Sequence, residues 1–325
     1  MGERVCFVIV LSVAYFIFWG YMTGIISKMF SDPKCIITDE DMEKMVQKEI
    51  YEHYPEIRKI LENSNETSQN ERACAWPPLL FEGRTPINKS MYEWQELERQ
   101  FPFMDQGHFT PANCIPYQSV AILVFVYKDL ESEKQFQIFI NNVIPKLYRQ
   151  QLQFSIYVVR QQAGDIANRG LLLNIGFKEA LKDMEYDCVI LHDVDVIPED
   201  DRNYYDCGKY PRHMSSRIDV NDYSPLHKDW SGGIISMTTE QFTMINGWSN
   251  MYMGNFMEND DIYRRIVTHY DLVRTEDTYS FCGSTRTTKT EKKRNGCLMF
   301  EMTARTWSID GLNSSQYAKL ERKTK

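Results

Sequence analysis

The chain contains 325 residues with a formal net charge of −8, and its sequence pI is about 5.4. This length accommodates one large or two modest domains with a real hydrophobic core. The acidic balance argues against a nucleic-acid partner, because surfaces that bind nucleic acids carry clustered lysine and arginine.

The first apolar segment, residues 5–27, contains no charged residue and is rich in Val, Ile, Phe and Tyr. It is long enough to cross a bilayer once as a helix. A cleaved signal peptide is the competing interpretation, but the segment is longer than a usual signal core and no small-residue cleavage site stands out. We predict an uncleaved transmembrane signal anchor behind a short cytosolic tail, residues 1–4. Cleavage would instead release a soluble, lectin-like secreted protein.

Cysteines and glycosylation sequons indicate on which side of the membrane the body lies. One of the eight cysteines lies within the anchor, and those that follow are Cys35, Cys74, Cys114, Cys188, Cys207, Cys282 and Cys297. This number favours disulfides in an oxidising lumen. It is odd, so at least one cysteine is free or pairs with another chain; Cys35, close to the membrane, is the first candidate. The predicted glycosylation sites are Asn65, Asn88 and Asn313. Together these features predict a luminal body.

Two segments separate the anchor from the predicted body. Residues 28–72 are polar, contain an acidic run and have some helical spacing, which predicts a partly helical luminal stem. Residues 73–116 mix Pro, Trp and other aromatic residues without a clear period, which predicts an irregular segment that wraps around the body. The body itself is assigned to residues 117–325.

The body begins with a regular alternation of strands and helices. The predicted elements are a strand at 120–126, a helix at 131–149, a strand at 154–159, a helix at 168–181 and a strand at 189–191. This order predicts an α/β fold with a mostly parallel sheet and helices on both faces. The second half is less regular and rich in Gly, Asn, Asp and Tyr, and it contains no internal repeat.

Two carboxylates follow the third predicted strand. Asp193 and Asp195 are two residues apart, so at the end of a strand they point to one side. Ligands bind outside the carboxyl ends of strands in open α/β sheets. Carboxylates at that edge would suit Mg²⁺ or Mn²⁺ bridging a diphosphate, which is the chemistry of a nucleotide-sugar transferase. The alternative is a solvated loop with no ligand.

Ordered motifs along the chain resemble the beta-1,4-galactosyltransferase family. They are Asn113–Pro116, Arg149–Leu152, Gln162–Asp165, Asn168–Arg169, Leu172–Phe177, Asp193–Pro198, Pro211–His213, Gly232–Gly233, Ile245–Gly247 and Asp310–Asn313. The resemblance implies a Rossmann-like GT-A fold and a Golgi-resident, single-pass type II membrane protein. It also implies transfer of galactose or N-acetylgalactosamine from a UDP-sugar to a terminal sugar of a glycan, glycoprotein or glycolipid. The anomeric centre would invert, Mn²⁺ would be required, and the disulfides Cys74–Cys114 and Cys188–Cys207 would form.

The resemblance also implies roles for individual residues. Asp195 would hold the metal. The donor would contact Asp193, Arg169, Asn168, Trp230, Gly232 and Gly233. The acceptor would contact Glu258, Asn259 and Asp261, and Glu258 and Asp260 are the candidate catalytic residues. For Arg169, the alternatives are a helix cap or an ion pair with Asp165. The donor contact is favoured because a guanidinium fork suits phosphate.

Several positions depart from the family pattern. Asn259 stands where the family has its catalytic base, and an amide cannot accept a proton at neutral pH. Asn255 stands in place of a mobile tryptophan, and Lys128 in place of an arginine. Residues 283–288 match the metal-binding Met-x-x-His but contain neither residue, so Mn²⁺ would be held weakly. Two functions follow: an active transferase, or an inactive sugar- or protein-binding member that regulates an active transferase. The expected assemblies are a homodimer or a complex with an active transferase. The pairing of Cys35, Cys282 and Cys297 stays open.

Overall fold

The computed structural model describes residues 73–78, 81–127, 129–160, 168–224, 229–254, 257–285 and 296–317. All of them lie within one compact unit that extends from residue 68 to residue 325. The predicted tail, anchor and stem, including Cys35 and Asn65, lie outside the described residues. Within the described ranges, no helix combines the length and the apolar character needed to cross a bilayer.

The segment before the body is held by one disulfide and by polar contacts. The predicted Cys74–Cys114 disulfide is confirmed. The segment contains a short helix, α1 (Trp94–Gln100), and a two-residue strand, β1 (His108–Phe109). Asp201 is fully buried and accepts hydrogen bonds from the backbone N–H groups of Glu82 and Gly83, both at 2.9 Å. This segment therefore adds an edge strand as well as irregular wrapping.

The first half of the body has the predicted order of elements. They are β2 (Ser119–Phe125), α2 (Leu130–Arg149), β3 (Gln153–Val159), α3 (Arg169–Asp183) and β4 (Cys188–Asp193). Each predicted element is confirmed, with bounds that differ by a few residues. The helices begin at side-chain caps: Asp129 accepts from the Ser132 N–H at 2.7 Å, and Asn168 accepts from the Leu171 N–H at 2.9 Å.

The second half contains shorter elements. Their bounds are β5 (Val196–Pro198), β6 (Arg212–His213), β7 (Arg217–Ile218), β8 (Ile234–Thr238), α4 (Thr239–Met244), α5 (Glu258–His269), β9 (Val273–Arg274), β10 (Phe281–Ser284) and α6 (Gly296–Thr306). Strands β5, β10 and β7 form a separate small sheet in that order. Turns of 3-10 helix lie at Asp219–Asn221 and Leu312–Ser314.

The main sheet is mixed, which corrects the prediction of a mostly parallel sheet. Its strand order is β1-β3-β2-β4-β8-β6-β9. The central pairs β2–β3 and β2–β4 are parallel, as is β6–β9 at one edge. The pairs β1–β3, β4–β8 and β6–β8 are antiparallel. The βαβ units produce the parallel centre, whereas the later strands return from the irregular half.

Alternation along β2 divides the apolar core between the two faces of the sheet. Val120, Ile122 and Val124 pack on one face with residues of α2, including Phe139. Ala121, Leu123 and Phe125 pack on the other face with Leu173, Phe177 and Ala180 of α3. Successive side chains of a strand point to opposite faces, so one fully apolar strand serves both layers. The predicted helices on both faces are thus confirmed.

A second disulfide braces the start of β4. Cys188 is bonded to Cys207, as the family resemblance implied. Cys282 on β10 is a buried free cysteine. The side chain of Cys297 lies outside the described part of the structure. Of the cysteines whose pairing was left open, only Cys282 is therefore assigned.

Candidate functional site

The candidate site lies where the central strands of the main sheet end. Phe125, the last residue of β2, is paired with Asp193, the last residue of β4. Helix α3 begins at Arg169, and the Arg169 guanidinium forms an ion pair with the Asp193 carboxylate. The carboxyl ends of parallel strands together with a helix N-terminus form the usual ligand-binding edge of an α/β sheet. The structure thus brings two of the predicted donor residues into direct contact.

Arg169 connects three parts of the site. One guanidinium nitrogen contacts Asp193, and another donates to the Asn259 side-chain oxygen at 3.3 Å. The guanidinium carbon lies 4.5 Å from the centre of the Trp248 ring, which is a cation–π arrangement. Only 9% of Arg169 is exposed. Of the alternatives considered for Arg169, an ion pair is present, but its partner is Asp193. The partner suggested by the sequence, Asp165, lies outside the described residues.

A short loop, Trp230–Gly233, borders this cluster and is held from two sides. The Asp193 N–H donates to the Gly233 carbonyl oxygen at 2.9 Å. The Gly232 carbonyl oxygen accepts from the His213 ring at 2.9 Å and from the Ser215 hydroxyl at 3.0 Å. Gly233 has φ +88°, and a β-carbon there would lie 2.3 Å from the Ser215 hydroxyl oxygen. Glycine is therefore required at 233 by the backbone conformation and by this close contact.

Trp230 lies over the same loop. Its ring centre is 5.4 Å from that of His213, with the two planes at 72°. A β-carbon on Gly232 would lie 2.3 Å from Cζ2 of Trp230, so only glycine permits the ring to pack this closely. Gly233 thus contacts the Asp193 backbone, and Trp230 packs against Gly232 in the same loop. Their contact with a donor stays a prediction.

The first turn of α5 carries the predicted acceptor and catalytic residues. Glu258 is the first residue of this helix and is 6% exposed, and Asp260 is partly buried. Both residues have interaction partners in the protein. Carboxylates are stabilised at a helix N-terminus by the positive end of the helix dipole. The catalytic roles of Glu258 and Asp260 stay predictions.

Asp261 has buried partners within the protein, and its predicted contact with the acceptor stays a prediction. It is 1% exposed, and its carboxylate pairs with Arg264 and, at 2.8 Å, with Arg265. Arg265 also pairs with Asp310 at 3.2 Å, and the Thr303 hydroxyl donates to Asp261 at 2.7 Å. Removing one partner from a buried ion pair is strongly destabilising, so these contacts contribute to the stability of this region. Asp261 therefore connects the first turn of α5 to Thr303 of α6.

Asn168 is also used by the protein itself. Its side-chain oxygen caps α3, and its side-chain nitrogen donates to the Asn250 carbonyl oxygen at 2.5 Å. Asn168 is 4% exposed. It therefore fixes the position of Arg169, the next residue, and its predicted donor contact stays untested.

Asp195, the predicted metal ligand, lies close to the end of β10. The Thr285 N–H donates to the Asp195 carbonyl oxygen at 2.9 Å, so the end of β10 lies beside Asp195, where the resemblance placed the metal ligands. The Thr285 hydroxyl is buried without a hydrogen-bond partner. The described residues contain no group of three or more His, Cys, Asp or Glu side chains able to share an ion. One carboxylate and one hydroxyl do not make a complete ligand set for Mn²⁺, so we assign no step to the ion.

Two buried histidines flank the site and are neutral at physiological pH. Burial lowers the pKa of His192 to about 4, and burial likewise lowers the pKa of His213 to about 4. The His192 ring bonds to the Tyr205 hydroxyl at 2.7 Å and to the Asp193 carbonyl oxygen at 2.9 Å. Since a carbonyl only accepts, Nδ1 of His192 carries the proton. His192 therefore fixes the backbone at the end of β4 and does not act as an acid.

Sequence reasoning assigned no role to His213, Ser215 or Trp248. His213 belongs to the Pro211–His213 motif that contributed to the family resemblance, so a signal was present. Trp248 directly follows the Ile245–Gly247 motif. The motifs alone do not show that His213 and Ser215 hold the Trp230–Gly233 loop, or that Trp248 packs against Arg169. Those contacts join residues far apart in the chain.

Comparison with known proteins identifies the fold and the family. The catalytic domain of Drosophila beta1,4galactosyltransferase 7, solved with xylobiose, matches with a TM-score of 0.52 and 26% identity over 62% of this chain and 86% of that chain. A mutant of that enzyme was solved with manganese, UDP-Gal and xylobiose. The architecture is therefore that of the GT-A glycosyltransferases.

Two family models match adjoining parts of the chain. The N-terminal region of glycosyl transferase group 7 matches residues 74–208, and the N-terminal domain of galactosyltransferase matches residues 212–281. Beta-1,4-galactosyltransferase 5 of Danio rerio is 38% identical over 205 residues, 62% of this chain and 53% of that protein. The chain belongs to the beta-1,4-galactosyltransferase family.

The relatives differ in the sugar that their names specify. A Lymnaea stagnalis protein, beta-N-acetyl-D-glucosaminide beta-1,4-N-acetylglucosaminyl-transferase, is 40% identical over 202 residues, 62% of this chain and 41% of that protein. The chain spans about half the length of the curated relatives it matches. Similarity alone therefore does not choose the donor sugar.

Proposed function

We propose that the protein is a UDP-sugar-dependent glycosyltransferase that transfers galactose or N-acetylgalactosamine to a terminal sugar of a glycan, with inversion. The observation that carries this proposal is the Arg169–Asp193 pair at the carboxyl ends of the central strands, beside the Trp230–Gly233 loop. Family membership supports it, because relatives named for this chemistry share the fold. The acceptor would be the glycan of a glycoprotein or glycolipid.

The proposed setting is the Golgi membrane, with a single-pass type II anchor at residues 5–27 and a luminal body. The Cys74–Cys114 and Cys188–Cys207 disulfides support an oxidising compartment. Of the predicted glycosylation sites, Asn88 and Asn313 are both exposed. Modification at Asn65, Asn88 and Asn313 belongs to this proposal.

Inverting transfer requires a base for the acceptor hydroxyl. Asn259 cannot serve, because an amide does not take up a proton at neutral pH. The base is therefore assigned to Glu258 or Asp260 in the same helical turn. Glu258, at the first position of α5, is the preferred candidate.

Donor binding is tested by titrating UDP into the full-length protein by calorimetry, with and without Mn²⁺. Asp195 is the clearest metal ligand among the described residues. Asp195→Asn is expected to weaken UDP binding about tenfold in Mn²⁺ and to change little without it. The matched control is Asp271→Asn, since Asp271 is exposed. Equal affinities for Asp195→Asn and the unmodified protein in Mn²⁺ would contradict the metal assignment. No UDP binding under any condition would contradict the proposed function.

A second candidate function is an inactive regulator that binds sugar or protein, as a homodimer or with an active transferase. The specific observation in its favour is that the Asn259 side-chain oxygen faces Arg169, where the family has a carboxylate base. Transfer from UDP-galactose and UDP-N-acetylgalactosamine by the unmodified protein and by Asn259→Asp separates the two. Activity only after Asn259→Asp supports the regulator. Activity of the unmodified protein that Glu258→Gln abolishes supports the transferase and its assigned base.

A further inference from the structure

The Asn259 side chain has a defined orientation. Arg169 donates to its oxygen at 3.3 Å. A guanidinium has donors and no acceptor, so it must face the amide oxygen and not the amide nitrogen. The amide nitrogen of Asn259 is thereby directed away from Arg169.

The Asn259 amide nitrogen meets Trp230 and Gly232 on that side. A β-carbon placed on Gly232 would lie 2.6 Å from this nitrogen and 2.3 Å from Cζ2 of Trp230. Asn259 and Trp230 are both partly exposed. Within the described part of the chain, no side chain or backbone group accepts a hydrogen bond from this nitrogen. Among the described residues this N–H donor is therefore unused and lies beside an aromatic ring at the edge of the site, and ligand pockets commonly combine these groups.

We propose that Asn259 is a specificity-determining hydrogen-bond donor, which binds a ligand oxygen that carries no proton. Such an oxygen is the carbonyl of an acetamido sugar or the carboxylate of a uronic acid. The inference rests on the proposed function, which places a sugar in this cleft. An aspartate at 259 accepts hydrogen bonds only, so it would favour a hydroxyl and reject the same oxygen.

The charges around Asn259 make the two ligand classes distinguishable. An aspartate at 259 would face Arg169, which already pairs with Asp193, so one guanidinium would be shared by two carboxylates and the pair would carry a net negative charge. Asn259→Asp would repel a uronic acid by charge as well as by loss of the donor. It would act on an acetamido sugar through loss of the donor alone.

The experiment measures binding of three methyl glycosides to the full-length protein in the presence of UDP. They are methyl N-acetylglucosaminide, methyl glucuronide and methyl glucoside, the last as the hydroxyl-only reference. Asn259→Asp is expected to weaken at least one of the first two about tenfold, the effect of about one hydrogen bond, and to leave the glucoside unchanged or tighter. The glycoside whose binding Asn259→Asp weakens identifies the oxygen that Asn259 binds, either an acetamido carbonyl or a uronic carboxylate. Asn259→Ala is expected to weaken the same ligand without tightening the glucoside.

The inference is overturned if Asn259→Asp binds the acetamido and uronic ligands as tightly as the unmodified protein does. It is equally overturned if the glucoside is weakened to the same extent. Thermal melting verifies that the variants fold, and Asn259→Ala provides the comparison if Asn259→Asp does not. A protein that binds these sugars in the expected pattern but never binds UDP would retain the inference and refute the proposed function.

Discussion

The two halves of the body are held together by different interactions. From β2 to β4, apolar side chains on both faces of the parallel strands form the core, and Val120, Ile122 and Val124 are completely buried. From β6 onward, buried polar groups connect short elements. Arg265 is 2% exposed and bonds to Asp261 on the same helix and to Asp310, which is distant in the chain. The first half therefore depends on a repeating pattern and the second on individual contacts.

Asn174 shows how the halves are joined. It is completely buried on α3, its side-chain nitrogen donates to the Trp248 carbonyl oxygen at 2.8 Å, and its side-chain oxygen accepts from the Trp248 backbone N–H at 3.0 Å. Trp248 in turn lies under Arg169. The site is thus built at the boundary between a regular and an irregular half, where each supplies part of it.

The largest expected effect comes from breaking the buried ion network of the second half. Arg265→Met removes the shared partner of Asp261 and Asp310, although Asp261 keeps Arg264 and Asp310 keeps hydrogen bonds from Ser249 and Asn250. Loss of one partner from a buried ion pair costs about 3–5 kcal/mol of unfolding free energy. Urea unfolding measures this loss. The control is Arg160→Met, which removes an exposed pair with Glu133 and should cost less than about 1 kcal/mol. Similar losses for both variants would mean that the network does not hold the second half.

Acid should weaken both halves through their buried histidines. The folded pKa values of His192 and His213 lie near 4, below the ordinary value of 6.5. The unfolded state then binds more protons between these pH values, so stability is complete above pH 6.5 and falls as the pH approaches 4. The loss is about 3 kcal/mol for each histidine. Urea unfolding at several pH values should show that the free energy of unfolding begins to fall near pH 6.5. An unfolding free energy that stays constant down to pH 4.5 would contradict this prediction.

The smallest expected losses of stability come from removing the N-terminal caps of helices α2 and α3. Asp129→Ala removes a local cap of α2 and should cost about 1 kcal/mol. Asn168→Ala removes the cap of α3 together with the bond to Asn250 in the other half, so about 1 kcal/mol more is expected. Asp129→Asn is the control that retains capping. Thermal unfolding of the three variants ranks them, and equal losses for the two alanine variants would show that the Asn250 bond contributes nothing.

Much of the fold and part of the site could be predicted from the sequence. The strands and helices from 119 to 193 follow from apolar periodicity, and the motif resemblance located Asp193, Arg169 and the Trp230–Gly233 loop. The antiparallel position of β8 between β4 and β6 could not be predicted, because Ile234–Thr238 has no pattern that specifies its neighbours. The burial of Asp261 was missed for a related reason: Arg264 and Arg265 are near in sequence, but Thr303 and Asp310 are not.

The sequence by itself determined the α/β alternation, the presence of carboxylates after β4, and the residue types that replace the family's base and metal ligands. These are local properties, set by hydrophobic period and by the chemical nature of each side chain. Only the tertiary structure decided that Arg169 pairs with Asp193, that Asp261 connects the first turn of α5 to Thr303 of α6, and that the Asn259 amide nitrogen faces Trp230. Buried polar groups need hydrogen-bond partners. When the partners are more than twenty residues apart in the chain, the packing of the helices and strands decides which groups are close enough to pair.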